Sequence, residues 1–380
     1  MKQRGAFSLL ALSTIGSLTL AAGSVLVLGP EDKISITRGV VLLGLGFIFF
    51  LSLFDFLNHV ALQTSSGHKL RKKYQLTMSD VLDISNKVVS GVQAFLSCFA
   101  GSVVCLWSCT RNFLHSSHFM SEAYAWFGAA YFFYDIWSMY QVHISIGVPF
   151  NHTSEKTLKK ISQASKDREN HNSSADRKNG VSCGDGALQD KPKADFKVVQ
   201  SFLSYCREQP IIIMHHLFIG GFGFLVIVYL RGGLGDCVFG FVYLMELSTP
   251  FVSVRSILSR MKLKESQVYV YNGILMLVTF FICRILLIPY LCLVYSQTLG
   301  LPYWEAIKTL PTGCKISISI LLFPQFYWFY LMVRGATKVF CSPSKPKIPS
   351  TPEGDVSTET SAASGDARSR VGANGSSATS

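Results

Sequence analysis

The chain has 380 residues, of which 49% are hydrophobic and 15% charged, and its formal net charge is +12. So low a charged share, against roughly 25% in soluble domains, excludes an ordinary soluble globular domain. The apolar residues fall in blocks of about 20, enough to cross a hydrocarbon core of ~30 Å as helices, and they are unbroken rather than alternating, which excludes a lipid-facing barrel. The expected fold class is all-α, a multi-pass transmembrane helical bundle.

Residues 6–29 come first, after Lys2 and Arg4, and end in Ala21, Ala22 and Gly23. They suit either a signal peptide or an extra, eighth helix, and at about 24 residues the segment is long for a signal sequence. Seven strong spans follow at residues 39–62, 84–107, 119–142, 211–230, 234–254, 269–295 and 316–335. The implied organisation is an N-terminal extension over 1–37 and a transmembrane domain over 38–340. A Ser-, Asn- and Lys-rich insert over 151–197 interrupts that domain, and a Ser/Thr/Gly/Pro tail fills 341–380. Insert and tail lack the apolar surface needed to offset the entropy of ordering, so both are expected to be disordered and cytosolic.

Orientation follows from the basic residues of the short loops. Lys69, Arg71, Lys72 and Lys73 follow the first strong span, and Arg255, Arg260, Lys262 and Lys264 follow the fifth. Both loops read as cytosolic, as does the flank carrying Arg334, Lys338, Lys345 and Lys347, while the intervening loops are poor in Lys and Arg and read as lumenal. The acceptor patterns at Asn151, Asn172 and Asn374 are then expected to stay unglycosylated. Orientation and attraction to anionic lipid account for the basic excess without nucleic acid as a partner. Cysteines such as Cys98, Cys105, Cys237, Cys283 and Cys292 lie inside or at the ends of spans, show no metal-ligand spacing, and are expected to be packing residues.

The ionisable residues inside spans carry the functional signal, because a charge near the bilayer centre costs about 2.5–3.5 kcal/mol and normally marks a pathway or a site. Asp55 and His59 share one helical face, as do Asp83 and Lys87, both near enough to the interface to be hydrated local pairs. Asp135 follows Tyr131 and Tyr134, Glu246 lies in the fifth span, and Arg284 in the sixth reads as a structural ion-pair partner of Asp135 or Glu246. His215 and His216 stand alone in the apolar run Ile211-Ile212-Ile213-Met214 to Leu217-Phe218-Ile219, where leucine would pack better, so a proton-transfer role is the stronger reading. Adjacent positions diverge too far to chelate a metal together, and none is expected. Depth along the spans places these ionisable residues in the cytosolic halves, with Arg284 nearer the middle, so the site is expected to open toward the cytosol. Gly220, Gly221 and Gly223 allow close helix approach, and Pro250, Pro289 and Pro324 interrupt later spans.

The segments Ile213-Met214-His215-His216, Met245-Glu246-Leu247-Ser248-Thr249-Pro250-Phe251 and Asn272-Gly273 through Cys283-Arg284-Ile285-Leu286, with Tyr134-Asp135-Ile136-Trp137-Ser138-Met139-Tyr140, resemble the TLC-domain family that includes the ceramide synthases. Among its members the subfamily of TLC domain-containing protein 3 is the nearest likeness. The resemblance implies a protein of sphingolipid or membrane-lipid homeostasis, usually of the endoplasmic reticulum, with Golgi and plasma membrane as other compartments. In the synthases a histidine pair serves acyl transfer from acyl-CoA to a sphingoid base, and here it matches His215 and His216. The resemblance therefore implies an N-acyltransferase needing no cofactor beyond acyl-CoA as co-substrate; the depth of Glu246 and Asp135, read from the spans themselves, suits them to orient an imidazole. Where the synthases carry a histidine-aspartate pair and a further aspartate three residues on, this chain reads Met245-Glu246 and Thr249. A non-catalytic lipid-binding or regulatory protein is the alternative; a transporter ranks third, because no inverted repeat is visible.

Overall fold

In the computed structural model, which describes residues 2–146 and 202–341, the chain runs almost wholly as helix and contains no strand among those residues. The expected insert over 151–197 and nearly all of the tail, with Asn151, Asn172 and Asn374, lie outside the described residues.

Helix α1 spans Lys2–Val25 and packs along α2, Ile36–Gln63, where Thr14 donates to the Ser52 hydroxyl at 2.9 Å. The extra N-terminal segment is thus a helix of the bundle. A short basic helix α3, Ser65–Tyr74, leads into α4, Met78–Ser108, whose start is fixed by a capping box: Asp80 N–H donates to the Thr77 hydroxyl while the Asp80 carboxylate accepts from Thr77 N–H. Helix α5 covers Phe119–Ile144, α6 residues 202–208, and α7 Pro210–Leu230. Helix α8 covers Asp236–Arg260, α9 Gln267–Leu299, α10 Tyr303–Thr309 and α11 Thr312–Cys341.

Seven of these helices are long and apolar enough to cross a membrane: α1, α2, α4, α7, α8, α9 and α11. The expected span over 119–142 forms a helix of 26 residues, yet it is not among the seven, and the reason is where it sits. α5 is sandwiched by α2 and α4 and turns Tyr124, Tyr131, Tyr134, Asp135 and Ser138 inward, so polar atoms that lower its hydropathy are hydrogen-bonded rather than exposed to lipid. Its apolar side joins Phe49, Phe50, Phe54 and Val89 in the main core cluster.

The antiparallel α4 and α5 are joined along their length by side-chain hydrogen bonds. Gln93 Nε2 donates to Tyr124 Oη at 3.0 Å, Tyr131 Oη donates to Ser90 Oγ at 2.9 Å, and Asn86 Oδ1 accepts from Tyr134 at 3.1 Å and Ser138 at 2.8 Å. On its other side α4 almost touches α8: a Cβ at Gly101 would lie 2.6 Å from the Gly240 carbonyl oxygen, and one at Gly240 would lie 2.7 Å from Cys105 Sγ. Only glycine permits that approach, which brings Tyr243 against α5, where its hydroxyl donates to the Ser121 carbonyl at 2.7 Å.

The two ends of the bundle differ in chemistry. At the basic end Arg260 Nε meets Asp83 Oδ2 at 2.7 Å, and Lys262 donates to Gln75 Oε1 at 3.2 Å. Asp83 therefore pairs across helices, and the expected local pair with Lys87 does not form. Asp55 is exposed, and its expected partner His59 instead lies beside the Phe7 ring at 6.2 Å.

At the opposite end Cys109 and Cys237 form a disulfide linking the end of α4 to the start of α8. This corrects the expectation that Cys237 only packs: the partners stand 128 residues apart, and only the antiparallel course of the helices brings them together. Cys98, Cys105, Cys283 and Cys292 are free thiols. Disulfides persist in oxidising compartments, and both cysteines lie at the end that loop charge predicts to be lumenal.

Candidate functional site

Proline shapes the centre of α8. Pro250 has no N–H, and the helix tightens into a 3₁₀ turn over Met245–Ser248, with Thr249 N–H bonded to the Glu246 carbonyl. The Met245 carbonyl is left to accept from Arg284 Nε at 3.2 Å, the same nitrogen lying 2.9 Å from Ser248 Oγ. Arg284 comes from a wide, π-helical turn of α9, Phe281–Leu286, just before Pro289. Its remaining donors reach Gln325 Oε1 at 3.3 Å, Thr249 Oγ1 at 2.9 Å and Glu246 Oε2 at 3.2 Å. Thr249 in turn donates to Glu246 Oε2 at 2.5 Å. Arg284 is only 9% exposed, so this full set of acceptors is what makes the burial of its guanidinium tolerable.

The histidine pair divides. His216 Nε2 lies 2.7 Å from Asp135 Oδ2, and Nδ1 lies 2.8 Å from the Ile212 carbonyl oxygen, so both ring nitrogens face acceptors. Asn86 Nδ2 donates to the other oxygen of Asp135 at 2.9 Å, tying α7 to α5 and α4 through one buried chain. His215 stands perpendicular to that ring with centroids 5.8 Å apart, and Trp328 of α11 meets it edge-on at 4.9 Å. His215 faces a cavity. His216 does not.

That cavity has a volume of about 710 Å³, within the range of small-molecule sites. His215, Glu246, Arg284 and Gln325 close one end, and the walls are apolar side chains of α5, α7, α8, α9 and α11, among them Phe132, Phe218, Ile227, Val242, Ile288 and Leu321. Gly220 lets α7 approach α5, since a Cβ there would lie 2.6 Å from Phe132 Cβ. Gly221 has open space around it and Gly223 ordinary contact, so of the three glycines one serves close approach.

The lining continues past Leu230 to Leu114, Gly235, Leu310 and Pro311, in the loops of the disulfide end. This reverses the expected opening: the polar residues sit at the inner end, near mid-bundle, and the cavity extends toward the end read as lumenal. Depth along the helices located the polar groups but not which flank of them is empty. At the mouth Arg231 ion-pairs with Asp236, which also accepts from His118 N–H at 2.6 Å, and Gly235 N–H donates to the Leu114 carbonyl at 2.8 Å. His118 caps α5 by accepting from Met120 N–H at 3.2 Å. Burial holds its pKa below the ordinary 6.5, with Arg111 adding to the effect and Asp236 opposing it.

The expected site residues thus fall into two groups. Asp135 and His216 form one pair; Glu246 and Arg284 form another, with Thr249 bridging. Glu246 engages Arg284 and does not orient a histidine, and Asp135 orients His216, not the histidine of the cavity. Sequence reading missed Asn86, Gln93, Tyr124, Tyr243, Gln325 and Trp328. For the α4 members a signal existed: Asp83, Asn86, Ser90, Gln93 and Ser97 recur every three or four residues, a polar stripe on one face of an apolar helix. Among the described residues no group of three His, Cys, Asp or Glu side chains is placed to hold a metal ion.

The TLC-domain model matches residues 83–334, from the first turns of α4 to near the end of α11. The chain belongs to the TLC-domain family. It is an integral membrane member of a family associated with membrane-lipid homeostasis. The matched region begins after α1–α3 and contains the histidine pair, the Glu246–Arg284 cluster and the whole cavity. Human TLC domain-containing protein 4 is 34% identical over 129 residues, 33% of this chain and 48% of that protein, so the match spans about half the relative's length. No solved structure matches the chain.

Proposed function

We propose that this TLC-domain protein binds a long-chain acyl lipid in the cavity and transfers a fatty acyl group from acyl-CoA to the amine of a sphingoid base in the endoplasmic reticulum. The finer assignment, to the subfamily of TLC domain-containing protein 3, belongs to the same proposal, although the relative matched is protein 4. One observation carries the reading: an apolar cavity of about 710 Å³ ends on an imidazole, His215, beside the buried guanidinium of Arg284 and the partly buried carboxylate of Glu246. A fatty chain fills such walls, and its carbonyl comes to rest at the polar end.

In that arrangement the amine nitrogen attacks the thioester carbonyl, the new C–N bond forms as the C–S bond breaks, and His215 takes the amine proton and passes it to the leaving thiolate. His216 is a positioning residue, held by Asp135 and Ile212 and setting the wall against which His215 stands. Arg284 supplies positive charge near the developing oxyanion, while Glu246 and Thr249 hold the guanidinium in place. Among the lining residues none lies nearer the basic end than His215, so acyl-CoA arriving from that side requires the His215–Trp328 contact to part.

The test is labelled sphingoid base fed to cells lacking endogenous ceramide synthases and expressing the chain. Labelled ceramide that disappears in His215→Ala supports the proposal; no ceramide from the wild type, or an undiminished yield from His215→Ala, refutes acyl transfer. A second reading, lipid binding without turnover, draws support from the engagement of Glu246 and His216 by fixed partners, which leaves His215 as the cavity's one histidine. Capture of a photoreactive fatty acid without ceramide formation would select it.

A further inference from the structure

The polar stripe of α4 has one member with a hydrogen-bonding group left over. Asn86 bonds Asp135, Tyr134 and Ser138; Ser90 accepts from Tyr131; Ser97 donates to the Tyr243 carbonyl at 3.1 Å. Gln93 is only 2% exposed, and its Nε2 is used on Tyr124, whose hydroxyl lies 3.4 Å from the Gln93 carbonyl oxygen. Its Oε1 is buried without a partner among the described residues. A buried unpaired acceptor is costly and rare in a folded protein, and it calls for an occupant. Gln93, Ser97, Tyr124 and Tyr243 all line the cavity, on a wall otherwise built of apolar side chains, and because Oε1 itself has almost no accessible surface, it meets a ligand when the Gln93 side chain turns toward the cavity.

We propose that Gln93 Oε1, beside Ser97 and Tyr124, is a polar subsite that accepts a hydrogen bond from an O–H or N–H on the lipid held in the cavity. This rests on the reading of the cavity as a lipid site and adds a selection rule to it: the ligand carries a hydrogen-bond donor part-way along its length. A plain hydrocarbon chain fills the same space but leaves Oε1 unpaired and desolvated. A chain bearing only an acceptor, such as a ketone, sets two lone pairs against each other. Discrimination of this kind is strong where a buried protein group has no other partner.

The experiment uses the full-length protein in nanodiscs. Stearic acid, positional isomers of hydroxystearic acid and the matching oxostearic acids compete against a photoreactive fatty acid. At least one hydroxy isomer is expected to compete about threefold to tenfold better than stearic acid, and its oxo counterpart not to. In Gln93→Met, which keeps the chain unbranched and the volume similar, the ratio is expected to fall to about one; residual stearic acid competition reports that the variant is folded. Gln93→Leu provides the same ratio if the methionine variant does not accumulate. Equal competition by all isomers in the wild type overturns the subsite while leaving the lipid reading intact, and so does a hydroxyl preference that survives both substitutions. Absence of competition by any of these lipids overturns the lipid reading itself.

Discussion

Replacing Asp135 by leucine tests whether the His216–Asp135 pair is the buried anchor of α7. The two groups meet at 2.7 Å with side chains 11% and 7% exposed, so screening by solvent is slight. Leucine leaves His216 Nε2 and Asn86 Nδ2 without acceptors in a place water does not reach. Removing one partner of a buried ion pair costs roughly 3–5 kcal/mol, well above the ~0.6 kcal/mol average of hydrogen bonds between membrane helices. Asp135→Asn behaves differently: its amide oxygen still accepts from Asn86, its N–H₂ donates to Nε2 of a neutral His216, and Nδ1–H keeps the Ile212 carbonyl, so about 1 kcal/mol is lost. The double variant Asp135→Leu/His216→Leu removes both polar groups and is expected to cost less than the sum of the single changes by at least ~1.5 kcal/mol. Reversible unfolding in mixed detergent micelles measures the wild type, Asp135→Leu, Asp135→Asn, His216→Leu and the double variant. Strict additivity of the single changes, or an asparagine variant as unstable as the leucine one, would show that the pair does not carry the anchor.

Other perturbations separate local causes. Gly220→Ala, whose Cβ would meet Phe132, is expected to cost about 1–3 kcal/mol, whereas Gly221→Ala, with open space around it, should be neutral or slightly stabilising; thermal melts of the two in one detergent decide. Cys109→Ser or Cys237→Ser opens a link across 128 residues and is expected to cost about 2–5 kcal/mol, and maleimide labelling of the intact protein should occur at these thiols only after reduction. His118 has a lowered pKa and accepts from Met120, so the folded state favours the neutral ring and the unfolded state binds the extra proton. Its contribution is therefore present above pH 6.5 and lost as pH falls below it, and His118→Asn, which keeps a capping acceptor, should flatten that part of the stability profile.

Much of the bundle was legible because hydrophobic length is a one-dimensional property. Where little of a helix is enclosed by its neighbours, as in α1 and α11, its composition states its role. α5 shows the limit: its polar atoms are satisfied by Asn86, Ser90 and Gln93, so hydropathy undervalues a helix that the rest of the bundle encloses. The histidines were visible as costly residues, but their division was not. At adjacent positions the ~100° step between them turns one into the α5 interface and the other to the cavity, and which is which depends on the rotation of α7, fixed by Gly220 against Phe132. Pairing by spacing failed for Asp83, because Arg260 arrives from a helix 177 residues away in sequence.

The position of the cavity bears on the chemistry more than the identity of its polar residues does. Had the space lain on the basic side of His215, a headgroup could have entered from the aqueous face with its chain left in lipid. It lies on the other side, so in the acyl transfer proposed above the chain would have to be inside before a carbonyl could reach the imidazole, and chain length would be read before the reacting group is in place. α11 forms the wall that would have to yield: only 6% of its apolar window is buried inside the protein, while its Gln325 and Trp328 hold Arg284 and His215. Trp328→Ala is accordingly expected to raise the rate of fatty-acid probe capture from the basic side without changing the apolar wall, read by time-resolved photolabelling. An unchanged rate would mean that the ligand enters through the disulfide end, past Arg231 and Asp236, and that His215 meets its substrate from the lumenal leaflet.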